Sequence, residues 1–211
     1  MQKFILKFIY SFICRWFLKL VVGVKFDNSD FLKTQTQFVI LANHNSHLDT
    51  ITLLASIPSS ILHKVKPVAA GDYFGKTKFT KWLSSYFINA LIINRSKTRT
   101  KPEEMPIPKM ISELEKGNSL ILFPEGTRGD PEKLQPFKRG IGLVLSKKPD
   151  IPYVPVFLSG MGKNLPKGNT IIVPFNSQVK FGNPTLVSSN DSKEIIKQIE
   201  TDILSLNDSP N

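Results

Sequence analysis

An α/β fold, a central mixed sheet with helices on both faces and an amphipathic helix ahead of it, is what this sequence predicts, on three observations. Short apolar runs such as Phe38–Ala42, Leu91–Ile93 and Ser119–Phe123 have the length and content of buried strands. Segments of helical length separate them, so strands and helices alternate as they do where helices cover a sheet. Polar residues able to do chemistry follow these runs directly, at the strand ends where open α/β sheets hold their sites.

Taken in order, residues 1–24 read as one helix at a membrane surface. Lys3, Lys7, Ser11, Arg15 and Lys19 recur every four residues, and nearly everything between them is Phe, Ile, Leu, Val or Trp. On a helix such a repeat makes one stripe that drifts by about 40° per step. Four cations would cost about 2.5–3.5 kcal/mol each at the bilayer centre, whereas a helix lying among headgroups sets them against anionic lipid. Charges run through the apolar stretch and no small-residue cleavage site follows, which argues against a signal peptide. The expected division is residues 1–26 as a membrane-associating helix and residues 27–211 as a domain large enough for a single core.

Asp27, Asn28, Ser29 and Asp30 break the pattern, and residues 36–42 form the first expected core strand. A helix opened at Ser46 is stopped by Pro58. Residues 65–70 read as a strand, residues 79–87 as a helix with Trp82 and Tyr86 one turn apart, and residues 91–93 as a buried strand delivering Arg95. Pro102, Pro106 and Pro108 make residues 95–109 a surface loop, followed by a helix over residues 110–116 that Gly117 ends. The strand at residues 119–123 leads to a loop at 129–136 and a helix opening at Phe137-Lys138-Arg139-Gly140. Strands at 154–158, 170–173 and 178–181, a loop at 160–168 and a closing helix at 192–206 complete the chain.

The net charge is +11, and residues 191–211 hold two lysines against five carboxylates, so the cationic excess lies in the rest of the chain. A basic body suits nucleic acid, anionic lipid or an acidic carrier protein, and no nucleic-acid motif selects the first. Cys14 is the single cysteine, which excludes an internal disulfide and is compatible with a reducing compartment.

The chemistry centres on Asn43-His44-Asn45-Ser46-His47-Leu48-Asp49. Residues five apart on one helix point about 140° away from each other, so His44 and Asp49 meet only if one of them precedes the helix. Ser46 as N-cap, with an acid three residues on, leaves His44 on the loop and Asp49 in the first turn. The carboxylate then holds one ring nitrogen as N–H and makes the other the base. The plain alternative is an acid that only caps the helix. His47 and His63 read as solvated surface residues.

The ordered pair His44-x4-Asp49 and Phe123-Pro124-Glu125-Gly126-Thr127-Arg128 resembles the glycerolipid acyltransferase family, whose best-known members acylate lysophosphatidic acid to phosphatidic acid. Ala90 to Arg95 resembles the family segment ending in a substrate-binding arginine, and Val154-Pro155-Val156 resembles its last block. The resemblance implies His44 and Asp49 as the catalytic pair, and Glu125, Gly126 and Thr127 in the acceptor site. Arg95 and Arg128 are expected to grip a phosphate, which a guanidinium can do through two parallel hydrogen bonds. Pro155 is implied on the acyl-donor side.

The expected reaction moves a fatty acyl group from acyl-CoA or acyl-carrier protein to a lysophospholipid hydroxyl, with no metal and no cofactor beyond the donor. The expected place is an anionic membrane surface on the cytoplasmic side, the protein being peripheral or monotopic. Two departures from the family pattern leave the acceptor open: Asn89 where a glycine is common, and Asn94 where an acid often precedes the arginine. One rival is a non-catalytic lipid-surface binder of the same fold. Another is a metal-dependent hydrolase built on His44, His47 and Asp49, which would have to draw its later ligands from carboxylates alone, because no histidine follows His63.

Overall fold

The computed structural model describes residues 2–71, 87–94, 102, 105–131, 133–165 and 171–208. Its strands are β1 (Val24–Phe26), β2 (Val39–Ala42), β3 (Val65–Ala70), β4 (Leu91–Ile93), β5 (Ser119–Leu122), β6 (Tyr153–Ser159) and β7 (Ser177–Phe181). They form one sheet in the order β1-β7-β6-β2-β5-β3-β4. Every neighbouring pair is parallel except β6 with β7, so the sheet is mixed, as the sequence predicts.

The alternation of side chains along β2 sets the layers. Ile40 and Ala42 point to one face, where Val154, Val156 and Leu158 of β6 join them in one apolar core. Val39 and Leu41 point to the other, with Leu120 and Tyr153. All four residues of β2 are fully buried, as befits a parallel strand covered on both sides.

The first face is covered by the N-terminal helix α1 (residues 2–22), through Leu6, Tyr10, Leu18 and Val22, and by α2 (Asp49–Ser56), through Leu53 and Leu54. The second is covered by α3 (Pro106–Glu115), α4 (Gly140–Lys147) and α6 (Ser192–Asp208). A short helix, α5 (Met161–Asn164), lies between β6 and β7, within residues read from the sequence as a loop.

In α1, α-helical Gln2–Phe8 and Arg15–Phe17 alternate with π turns at Ile9–Cys14 and Leu18–Val22. A π turn takes more residues than an α turn, so a four-residue repeat drifts less than it would on a regular helix. Phe4, Phe8, Phe12, Trp16 and Leu20 accordingly form an exposed apolar row beside exposed Lys3, Lys7 and Lys19. Arg15 departs from the expected lipid-facing stripe: its guanidinium donates to Ala55 O at 2.7 Å and lies 4.5 Å over the Phe26 ring. Among the described residues no helix is long and apolar enough to cross a membrane.

Three local expectations change, and a fourth falls largely outside the described residues. Helix α1 ends at Gly23, whose φ of 85° is left-handed, and Val24–Phe26 turns into an edge strand instead of prolonging the helix. Pro106 and Pro108 lie inside the first turn of α3, where the backbone N–H groups they lack have no helical partner to miss. The strand expected at residues 170–173 is absent from the described part, 171–173, which has no regular structure. The helix expected at residues 79–87, with Trp82 and Tyr86, lies outside the described residues except at its last position.

Glu113 ties α3 to β3: it accepts hydrogen bonds from Lys66 Nζ (2.7 Å), Lys116 Nζ (2.8 Å) and Asn118 Nδ2 (2.9 Å). Burial alone would raise its pKa, but the hydrogen bonds and charges of Lys116 and Lys66 outweigh it and hold the carboxyl down at about 2. A folded-state pKa below the unfolded one stabilises fully above the ordinary carboxylate range, and the contribution is lost as pH falls toward the lower value. Glu113→Gln should therefore cost about 1–3 kcal/mol in urea unfolding at neutral pH, with the difference from wild type shrinking as pH falls below the carboxylate range. A difference that stays constant with pH would contradict the charge-based account.

Candidate active site

The site is assembled where β2 and β5, paired from Val39↔Leu120 to Leu41↔Leu122, end side by side. Just past β2, the Asn43 side chain donates to Leu158 O (2.9 Å) and accepts from Leu158 N–H (2.7 Å), pinning the strand end to β6. His44 follows on the loop and Asp49 opens α2, the arrangement expected from their spacing.

Nδ1 of His44 lies 2.8 Å from Asp49 Oδ2, and that same oxygen accepts the backbone N–H groups of Asn45 and Ser46, each at 2.8 Å. Asp49 is fully buried. An ionised carboxylate only accepts, so Nδ1 carries the proton and Nε2 the lone pair. The helix begins at Asp49 with Leu48, not the expected Ser46, at its N-cap and no side-chain cap; Ser46 instead closes the turn ahead of the helix, its Oγ accepting Leu48 N–H at 3.2 Å. The His44 ring stacks on Phe123 at 3.9 Å between centroids and 16° between planes, which fixes its plane as well as its tautomer.

Glu125 is buried, and its two oxygens accept His44 N–H (2.7 Å) and Gln135 N–H (3.0 Å). It holds two loops in place, and neither bond goes to Arg128. Burial raises its pKa, against the opposing pull of these two backbone donors. Gly126 has φ of 74°, and a Cβ there would sit 2.9 Å from Lys138 Nζ. The left-handed turn favours a glycine here, and any larger residue would also displace the lysine lying across it. Thr127 is exposed, with Oγ1 3.4 Å from Gln135 Oε1.

A cavity of about 580 Å³ opens beside these groups. His44, His47, Gly126, Thr127, Arg128 and Lys138 line it, and apolar side chains from β3, β4, α3 and α4, such as Val68, Ile93, Ile107 and Ile141, line the rest. A base, two cations and an apolar chamber in one cavity suit a substrate with a reacting hydroxyl, an anionic group and an alkyl chain.

Two of its residues escaped the sequence reading. His47 is exposed, as read from the sequence, but its Nε2 meets the Arg128 guanidinium, a pairing with the expected anion-binding arginine that the sequence does not display. Lys138 was visible only as part of a helix start, although it closely follows the Glu125 turn in the chain. Of the three residues in the hydrolase reading, His44 and Asp49 bond each other and His47 faces Arg128.

Arg95 lies outside the described residues; the strand leading to it, β4, brings Ile93 to the cavity. Pro155 pairs with Leu41 inside the sheet and packs on Gly182, away from the cavity lining. Asn89 adopts φ of 56°, the left-handed region that glycine and asparagine tolerate, and its amide donates to His63 O and Val65 O at 3.0 Å. It does a glycine's conformational work and adds a clamp.

Residues 23–159 match the family described as Acyltransferase. The chain is 30% identical over 162 residues to a putative 1-acyl-sn-glycerol-3-phosphate acyltransferase of Caenorhabditis elegans, covering 72% of this chain and 58% of that one. It is 30% identical over 152 residues to a 1-acyl-sn-glycerol-3-phosphate acyltransferase of Bacillus subtilis, covering 70% of this chain and 69% of that one. Chloroplastic relatives from Brassica napus and Arabidopsis thaliana are longer still, and this chain spans 37% and 35% of their length. The crystal structure of a 1-acyl-sn-glycerophosphate acyltransferase from Thermotoga maritima shares the fold, with a TM-score of 0.75 at 24% identity over 100% of this chain and 83% of that one.

Burial first, and the Arg128 guanidinium second, hold the His47 imidazole below its ordinary pKa. Arg128→Ala should therefore raise the His47 titration midpoint, followed by NMR through the imidazole C–H signals of a chain with three histidines. An unchanged midpoint would mean that the two side chains do not meet in solution.

Proposed function

The chain belongs to the acyltransferase family, and from that premise we propose that it moves a fatty acyl group from a thioester donor, acyl-CoA or acyl-carrier protein, to the hydroxyl of a lysophospholipid at a membrane surface. Lysophosphatidic acid, giving phosphatidic acid, is the favoured acceptor. The observation that carries this reading is the His44–Asp49 pair lining one cavity with Arg128 and Lys138.

His44 Nε2 takes the proton of the acceptor hydroxyl as its oxygen attacks the thioester carbonyl, forming a C–O bond and a tetrahedral oxyanion. Collapse of that intermediate breaks the C–S bond, and the imidazolium returns its proton to the departing thiolate. A thiol has a pKa of about 8.5, so it departs without a strong general acid. Asp49 holds the tautomer and stabilises the imidazolium, while Phe123 keeps the ring in plane.

Arg128 and Lys138 bind the phosphate of the acceptor, with Arg95 as a third cation to be tested beside them. The apolar walls from β3, β4, α3 and α4 receive an acyl chain. At the membrane, the row Phe4, Phe8, Phe12, Trp16 and Leu20 enters the headgroup region, with Lys3, Lys7 and Lys19 beside it for anionic lipid.

His44→Ala should lower acyl transfer from acyl-CoA or acyl-carrier protein to lysophosphatidic acid roughly a hundred- to ten-thousand-fold. Equal, background transfer by both proteins across a panel of lysolipids would favour a binder that only shares the fold. Arg128→Lys keeps the charge but loses the fork of donors, so the KM for a phosphate-bearing acceptor should rise about tenfold with kcat changing less. A fall confined to kcat would place Arg128 on the reacting atoms instead.

A further inference from the structure

Residues 171–176 form a second exposed apolar segment, separate in sequence from α1. Ile171 is 75% exposed, Val173 55% and Phe175 41%, while Ile172 turns inward against the core. The segment is held from behind: Val173 N–H donates to Asn164 O at 2.9 Å, and buried Asn164 donates through Nδ2 to Ser177 Oγ at 2.6 Å. The apolar side chains are therefore presented to solvent on an anchored backbone.

This segment adjoins the end of α1. A Cβ on Gly23 would lie 3.3 Å from Phe175 O, and the last exposed apolar residues of α1, Leu20 and Val21, stand just before buried Val22 and that glycine. The exposed apolar surface thus runs from α1 across Gly23 into the segment. Its charge has one sign. Residues 2–26 and residues 159–190 contain no Asp or Glu, and Lys19, Lys25 and Lys163 are exposed in them, with Lys163 Nζ 4.7 Å over the Phe175 ring. Exposed Asp27 lies at the other end of β1, against Phe181, so at the Gly23 end the apolar side chains are bordered by cations and are complementary to an anionic bilayer, which attracts the lysines and takes up Ile, Val and Phe.

We propose that residues 171–175 are a second membrane-inserting element, which together with α1 seats the β1 and β7 edge of the sheet on anionic lipid. The proposal rests on the membrane reading of α1 given above. The segment also touches the catalytic loop through α5, since Ser46 Oγ donates to Leu165 O at 3.1 Å, one residue beyond Asn164. Insertion there would set the height of the His44 loop above the headgroups.

The test uses the single cysteine. In a Cys14→Ser background, an environment-sensitive nitrobenzoxadiazole label is placed at Val173→Cys, at Phe12→Cys on α1, or at Lys197→Cys on the exposed face of α6 as a control. Emission is read on titrating vesicles of equimolar phosphatidylglycerol and phosphatidylcholine, or of phosphatidylcholine alone. A blue shift and rise at residues 173 and 12 but not 197, stronger on the anionic vesicles, is the expected result. A shift at residue 12 without one at 173 overturns this proposal and leaves the membrane role of α1 standing. No shift at either position overturns both, and an equal response to the two vesicle types overturns the choice of an anionic surface. Independently, Ile171→Ser with Val173→Ser should raise the vesicle concentration for half-maximal binding about tenfold or more, because two exposed apolar side chains are removed. Unchanged binding would contradict insertion.

Discussion

One carboxylate oxygen organises the site. Oδ2 of Asp49 takes three hydrogen bonds, from the His44 ring and from two successive backbone N–H groups, inside a fully buried position. The two backbone bonds curl the chain between β2 and α2, and that curl is what brings a loop histidine back over the first turn of a helix. Ring orientation, tautomer and loop shape thus share one acceptor. The neighbouring supports are of the same kind: Asn43 clamps the strand end to β6, Glu125 holds the His44 and Gln135 backbones, and Phe123 lies flat against the imidazole.

Much of this was legible because it depends on local spacing. An imidazole and a carboxylate five positions apart admit few arrangements, and a helix start between them is the simplest. The apolar runs of β2 to β6 could be read for the same reason, each being short, bounded by turns and rich in branched residues. What escaped depends on contacts between distant parts of the chain. His47 and Arg128 are far apart in sequence, so nothing local marks them as a pair, and the role of Glu125 rests on a backbone N–H that sequence does not display. Arg15 fits a cationic stripe by its period, yet the approach of Ala55 and Phe26 turns it into the body. Prolines at 106 and 108 look like loop residues until they are seen in a first turn, where their missing N–H groups cost nothing. Pro155, assigned by resemblance alone, sits within the sheet against Gly182.

The sheet also explains how a basic, partly apolar surface and a half-buried imidazole come to be in one small protein. The alternation on β2 gives two cores, one covered by α1 and α2, the other by α3, α4 and α6. The face that carries α1 ends in the exposed aromatic row, and the strand ends hold the cavity. The exposed apolar row and the apolar cavity thereby lie in different parts of the same layered arrangement, with the loop between β2 and α2 beside the cavity.

The central claim, that Asp49 fixes the His44 tautomer, is tested most directly by the ring nitrogen and proton signals of His44 in 15N-labelled protein, compared with Asp49→Asn. The account predicts a protonated Nδ1 with a hydrogen-bonded, downfield proton, an unprotonated Nε2, and loss of that proton signal in the variant. A proton on Nε2 in the wild type, or signals indifferent to the substitution, would contradict it.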